Sequence, residues 1–250
     1  MARYLNIHVY KSMSTFTHTI DKTTRGVMRK PLEPSEKEFI NKSLLHLIES
    51  KTIRVNYARV NSGVGRTQVF GYGNRRGLGF GEFKNNLENQ DLYRMLVQLG
   101  AMVVPPFIPW TAIQVNHNYQ TSKHIDGNNI GLSYSVSFGD FTGGELVVAG
   151  EPFQTRLTPI IFNGALNDHF NQPITGNRYS LVYFVSAPSQ ATDQQIFQLH
   201  EQLIQKNTKT VGRGLALSNM VKKGENVFQN LTPLRSQFFS DSGDFSHTNS

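Results

Sequence analysis

Five short runs between Thr111 and Ala187, TAIQVNHN, GLSYSVSF, GELVVAG, PIIFNG and RYSLVYFVSA, carry alternating or clustered apolar residues and are cut apart by loops such as GDFTGG. A period of two sends successive side chains to opposite faces of a sheet, so such a run buries one face and leaves the other free for polar groups. Several short strands at this spacing fold as a sandwich or barrel, not as a helical bundle. With 38% hydrophobic and 11% aromatic residues, the 250-residue chain can bury such a core, and its length fits one large domain.

Helical spacing frames this region. Pro34-Ser35 introduces EKEFINKSLLHLIESK, where Phe39, Ile40, Leu44, Leu47 and Ile48 recur on one face behind a Ser cap and early Glu residues. This predicts a helix over about 35–50. NQDLYRMLVQL predicts a second near 88–99, stopped at Gly100, and DQQIFQLHEQLIQK a third over 193–206. Tyr4 to Tyr10 reads as an opening strand, and the polar end, 240–250, as a disordered tail.

Composition removes several chemistries. Without cysteine there is no disulfide, zinc ribbon, iron–sulfur cluster or thiol nucleophile, which leaves imidazole and carboxylate as the strong metal ligands. The glycines of 63–81 form neither GxxxxGK[ST] nor a GxGxxG that opens a helix, so they are not a phosphate loop. No apolar run approaches the ~18–20 residues that cross a bilayer, and MARYLNIHVYKSMSTF has no apolar signal-peptide core. The expectation is an intracellular protein, nuclear or cytoplasmic, without a membrane partner.

The chemistry is concentrated between Gln114 and Ser186. In NHNYQTSKHIDGNN, His124 and Asp126 are two apart, so an extended backbone turns both toward one side. His169 follows 45 residues later, and then Arg178 and Ser180, again two apart. Two imidazoles and one carboxylate match the facial triad of non-haem Fe(II) oxygenases, which leaves positions open for a chelating cosubstrate and O2. A guanidinium grips a carboxylate through two parallel charge-assisted bonds, and a neighbouring hydroxyl adds a third donor, so Arg178 with Ser180 suits the far end of a small dicarboxylate. Asn116 and Asn118 share the His124 face if alternation persists; either could bond the metal-side carboxylate of the cosubstrate, or simply end a strand. His117, one residue out of phase, should face away. Tyr134 and Ser135 read as core packing ahead of a pocket role. His8, His18, His46, His200 and His247 have no ligand-like spacing.

Over about 114–186, the ordered HxD, H and RxS set resembles the 2-oxoglutarate- and Fe(II)-dependent dioxygenase superfamily. QVNHNYQTSKHID with GDFTGGEL looks more narrowly like its TET/JBP branch, which oxidises 5-methylpyrimidines in DNA, although GDFxGGEL is also similar to turns in prolyl-hydroxylase-like members. The resemblance implies an α+β fold with a double-stranded β-helix core, jelly-roll and cupin-like, over 101–190. Residues 1–100 would form an N-terminal helical and basic-hairpin extension, and 191–239 a C-terminal helix and extension. It implies His124, Asp126 and His169 as iron ligands and Arg178 with Ser180 as the cosubstrate clamp. Fe(II), 2-oxoglutarate and O2 would be the cofactor and cosubstrates, with ascorbate as a supporting reductant. A peptidyl or small-molecule hydroxylase and a non-catalytic jelly-roll binding module are the alternatives.

A partner is expected from charge. The chain carries a formal +7, and 51–84 holds seven basic side chains against one acidic, whereas 85–206 holds five against nine. Arg66, Arg75, Arg76 and Lys84 interleave with Phe70, Tyr72, Phe80 and Phe83, a mixture suited to phosphate contact and base stacking in DNA and equally to an ordinary packed hairpin.

Overall fold

The computed structural model describes residues 19–53 and 63–208. The expected opening strand, His8, His18, His247, the cations of 54–62 and everything beyond Thr208 lie outside the described residues. In chain order the elements are β1 (Met28–Arg29), α1 (Pro34–Glu38), a π-helical turn (Phe39–Leu44), α2 (Leu45–Glu49), β2 (Gly63–Arg75), β3 (Gly79–Glu82), α3 (Asn85–Glu88) and α4 (Gln90–Val103). They continue with β4 (Ala112–Thr121), β5 (Ile130–Gly143), β6 (Leu146–Val148), β7 (Glu151–Phe153), β8 (Ile160–Phe162), β9 (His169–Asn171), β10 (Ile174–Val185) and α5 (Asp193–Thr208).

Two antiparallel sheets result. The larger has the order β1-β8-β5-β10-β4-β2-β3 and the smaller β7-β6-β9. This is the α+β, jelly-roll arrangement that the resemblance implies, within the sandwich or barrel expected of the strand pattern. Alternation decides what each face of the large sheet does. On β10, Tyr179, Leu181 and Tyr183 pack into the core with Leu44, Ile48, Leu92, Leu96 and Leu99 from the helices, while Arg178, Ser180, Val182 and Phe184 line a cavity on the opposite face. On β4, Ile113 and Val115 join the core, and Gln114 and Asn116 line the cavity.

The first helical run matches its expected span but passes through a π turn at Phe39–Leu44. The second differs at its end: α4 runs through Gly100 to Val103. A Cβ at Gly100 would lie 2.6 Å from the rings of both Trp110 and Tyr183, so this glycine permits close approach to the sheet and is not a stop. The helix ends where Val104 becomes extended ahead of Pro105, the conformation a following proline favours.

His200, on α5, is buried, with Nδ1 3.0 Å from the Trp110 carbonyl oxygen and its ring edge-on to the Trp110 indole. Burial pushes its pKa down to about 4, against a partial upward pull from the Trp110 carbonyl. The folded protein therefore holds a neutral ring, whereas the unfolded chain takes up a proton below ~6.5. Stability contributed by this group is complete above ~6.5, declines as pH falls and is lost by about pH 4, at a cost of about 3 kcal/mol. Urea unfolding between pH 4 and 7 is expected to show a smaller acid loss in His200→Phe than in the native sequence; parallel curves would mean that His200 does not drive the loss.

Candidate metal centre and cosubstrate pocket

Two histidines 45 residues apart become neighbours through backbone pairing. His124 and His169 form an isolated antiparallel bridge, with N–H to O distances of 3.1 and 2.9 Å, and the Asp126 N–H donates to the Gly164 carbonyl at 2.9 Å. One ligand-type atom from each of His124, Asp126 and His169 lies within 4.8 Å of the others, the one such group of His, Cys, Asp or Glu among the described residues. The His124 and His169 Nε2 atoms each stand 3.5 Å from an Asp126 carboxylate oxygen, Oδ1 and Oδ2 respectively.

The far sides of the rings determine which nitrogen is available. His124 Nδ1 lies 2.7 Å from the Ser122 carbonyl and His169 Nδ1 3.0 Å from the Asn167 carbonyl. A carbonyl only accepts, so each Nδ1 carries the proton, and in the neutral ring the Nε2 lone pair faces the carboxylate. Three acceptors then converge on one point, an arrangement a bound cation relieves, and the carbonyl-to-imidazole contacts are those that orient metal-ligating histidines. Without a cation the same point can instead be filled by protons on the two Nε2 atoms: burial alone would raise the Asp126 carboxyl, but hydrogen bonds and charge from protonated His124 and His169 rings outweigh it and hold the group well below the usual carboxylate range. The donor set fits a first-row divalent ion such as Fe(II).

The same cavity, about 100 Å³ in volume, contains Arg178. This residue is 2% exposed, and among the described residues its guanidinium meets no carboxylate within ion-pair distance. One terminal nitrogen donates weakly to Thr155 Oγ1 at 3.4 Å, the group lies over the Phe141 ring, and Nε has no partner among the described residues. Burial lowers its pKa to about 10, with Glu145 acting weakly in the opposite direction. A buried cation with an orphaned N–H is a receptor for an anionic ligand. Beside it, Ser180 Oγ accepts from Asn116 Nδ2 at 3.2 Å, and Asn116 Oδ1 accepts from Gln114 Nε2 at 3.3 Å. Because Ser180 accepts from Asn116, its own hydroxyl proton remains available to the cavity.

Other candidates fall elsewhere. Asn118 is exposed and absent from the cavity, because a bulge opposite Gly65 inserts one residue into β4 and reverses the alternation; Tyr119 and Thr121 line the cavity instead. With φ at +47°, Asn118 uses Oδ1 to accept the Arg178 backbone N–H at 2.7 Å. His117 stacks on Tyr179 away from the cavity, whereas Ser135 lines it and Tyr134 is core. Thr155 and Asn129 touch the site, and their sequence context contains no signal that marks them; only strand packing and the Asp126 turn bring them there.

The basic hairpin does not flank the cavity. Arg66 pairs with His117 and so shares the sheet face opposite the cavity, and Arg75 lies about 30 Å farther along β2. Arg75 folds back onto the carbonyls of Leu78, Gly79 and Glu82, and Lys84 stands 3.8 Å from Glu88. Phe70 is fully buried against Tyr93, and Phe80 packs on a core cluster, so these rings serve packing. Arg76 is exposed near the hairpin tip.

Two sheets thus enclose a buried arginine and a His-Asp-His group that could hold a metal ion, in a jelly-roll fold. No protein-family model and no curated protein matches the sequence of this chain. Three solved structures are similar to it at low identity. NgTET1 in complex with 5mC DNA is 16% identical with a TM-score of 0.45, covering 63% of this chain and 71% of that one. A prolyl-4-hydroxylase from Pseudomonas putida is 13% identical with a TM-score of 0.40, covering 66% and 95%. An oxidoreductase of the 2OG-Fe(II) oxygenase family from Burkholderia pseudomallei is 20% identical with a TM-score of 0.38, covering 64% and 83%.

Proposed function

We propose that this chain is an Fe(II)- and 2-oxoglutarate-dependent oxygenase. The observation that carries the reading is one cavity holding both three convergent ligand atoms and a buried guanidinium without a carboxylate partner. His124, Asp126 and His169 would hold the ion, Arg178 and Ser180 the far carboxylate of the cosubstrate, and Asn116 the Ser180 hydroxyl in its orientation. When bound, iron supplies the redox chemistry by which O2 oxidises a substrate carbon as 2-oxoglutarate becomes succinate and CO2.

For the substrate we propose the methyl group of 5-methylcytosine or thymine in DNA. Away from Arg178 and the triad, the cavity is lined by Gln114, Asn129, Ser135, Val182 and Phe184, all uncharged. Such a lining suits a neutral, flat, hydrogen-bonding ring and gives no counter-charge to a free amino acid. A base inside a duplex must leave its stack to reach an enclosed site.

The full chain should be incubated with Fe(II), 2-oxoglutarate and either 5-methylcytosine- and thymine-containing oligonucleotides or proline-containing peptides. The expected result is iron-dependent succinate release with an oxidised nucleoside by mass spectrometry. Hydroxylated peptide alone would make the chain a peptidyl hydroxylase. No iron-dependent succinate with or without substrate would leave a non-catalytic binding module.

A further inference from the structure

Asn129 contacts the carboxylate of the candidate metal centre. Its Nδ2 donates to Asp126 Oδ2 at 3.2 Å, and its backbone N–H closes a turn on the Asp126 carbonyl at 2.9 Å. The same oxygen stands 3.5 Å from His169 Nε2, and a Cβ added at Gly164 would come within 3.4 Å of Oδ2 and 3.3 Å of His169 Cε1. Oδ1 faces His124 Nε2. Asn129 therefore provides a side-chain hydrogen bond that engages Oδ2.

That hydrogen bond matters because of coordination arithmetic. A facial triad occupies three positions of an octahedral ion, a chelating 2-oxo acid takes two more, and O2 takes the last. A carboxylate free to turn can ligate through both oxygens, which would remove a position from the cosubstrate or from O2. A donor fixed on one oxygen opposes that rotation. Resting on the reading of His124, Asp126 and His169 as metal ligands, we propose that Asn129 is a positioning residue that restricts Asp126 to one-oxygen ligation and so keeps the cosubstrate positions open.

The test uses Mn(II) and 2-oxoglutarate as probes, with calorimetric titration of the full chain. Asn129→Ala removes the donor. Asn129→Asp has the same shape and keeps the capacity to form the turn, but cannot donate when ionised. Both variants are expected to lose more affinity for 2-oxoglutarate, about ten-fold in their Mn(II)-loaded forms, than for Mn(II) itself. Native 2-oxoglutarate affinity in folded Asn129→Asp would overturn the proposal and leave Asn129 as a turn residue. Loss of Mn(II) and 2-oxoglutarate affinity in equal proportion would also overturn it. His124→Ala separates this from failure of the underlying reading: if it binds Mn(II) as tightly as the native chain, the cluster is not the metal site.

Discussion

His124→Ala, Asp126→Ala and His169→Ala are each expected to abolish Fe(II)-dependent 2-oxoglutarate turnover and to weaken Mn(II) binding at least about a hundred-fold while the chain stays folded. Loss of one donor from three leaves an ion held by two side chains and water. The fold should survive because the backbone, and not these side chains, joins the segments: His124 and His169 exchange two main-chain hydrogen bonds, and Asp126 is tied by its N–H to Gly164. Circular dichroism and the unfolding midpoint check the second half of the expectation, and calorimetry checks the first. Wild-type turnover in any single variant would remove that residue from the metal centre.

Arg178→Met is expected to raise the 2-oxoglutarate requirement roughly a hundred-fold, as befits the loss of a charge-assisted two-bond grip, while Mn(II) affinity stays unchanged. The same substitution should stabilise the ligand-free protein by about 1–4 kcal/mol, because it replaces a buried cation lacking a carboxylate partner with an apolar side chain of similar length. Opposite signs for ligand affinity and for stability mark a residue kept for binding. Arg178→Lys should recover little, since an ammonium cannot reproduce the planar fork. Equal losses of metal and cosubstrate affinity, or a lower unfolding midpoint in Arg178→Met, would instead make the arginine structural. Calorimetry on Mn(II)-loaded protein and urea unfolding of the free protein read the two effects separately.

Local pattern was enough for the strand-rich core, because period-two alternation on β4, β5 and β10 needs no knowledge of the partners: a residue such as Leu181 or Val115 must be buried wherever its strand docks. The RxS pair was legible for the same reason, since Arg178 and Ser180 are two apart on β10 and share a face, whereas His124 and Asp126 lie beyond β4 and are set in place by the bridge to His169 and the Asp126 N–H to Gly164. Tertiary structure decided whatever depended on register between distant segments. One extra residue in β4 turned Asn118 out of the cavity and Tyr119 into it, and a bulge is a property of two paired strands. Pairing of β2 with β4 put Arg66 on the far face and the hairpin tip at the distant end of the strand, although composition alone placed all four cations in one segment. Gly100 is a stop signal in sequence, but the rings of Trp110 and Tyr183 make it a point of close packing. Thr155 and Asn129 carry no mark in the chain because their roles arise only when separate segments, or the turn after Asp126, bring them against Arg178 and the carboxylate. Periodicity states which face a side chain takes; what it meets on that face is set by the partners the fold brings there.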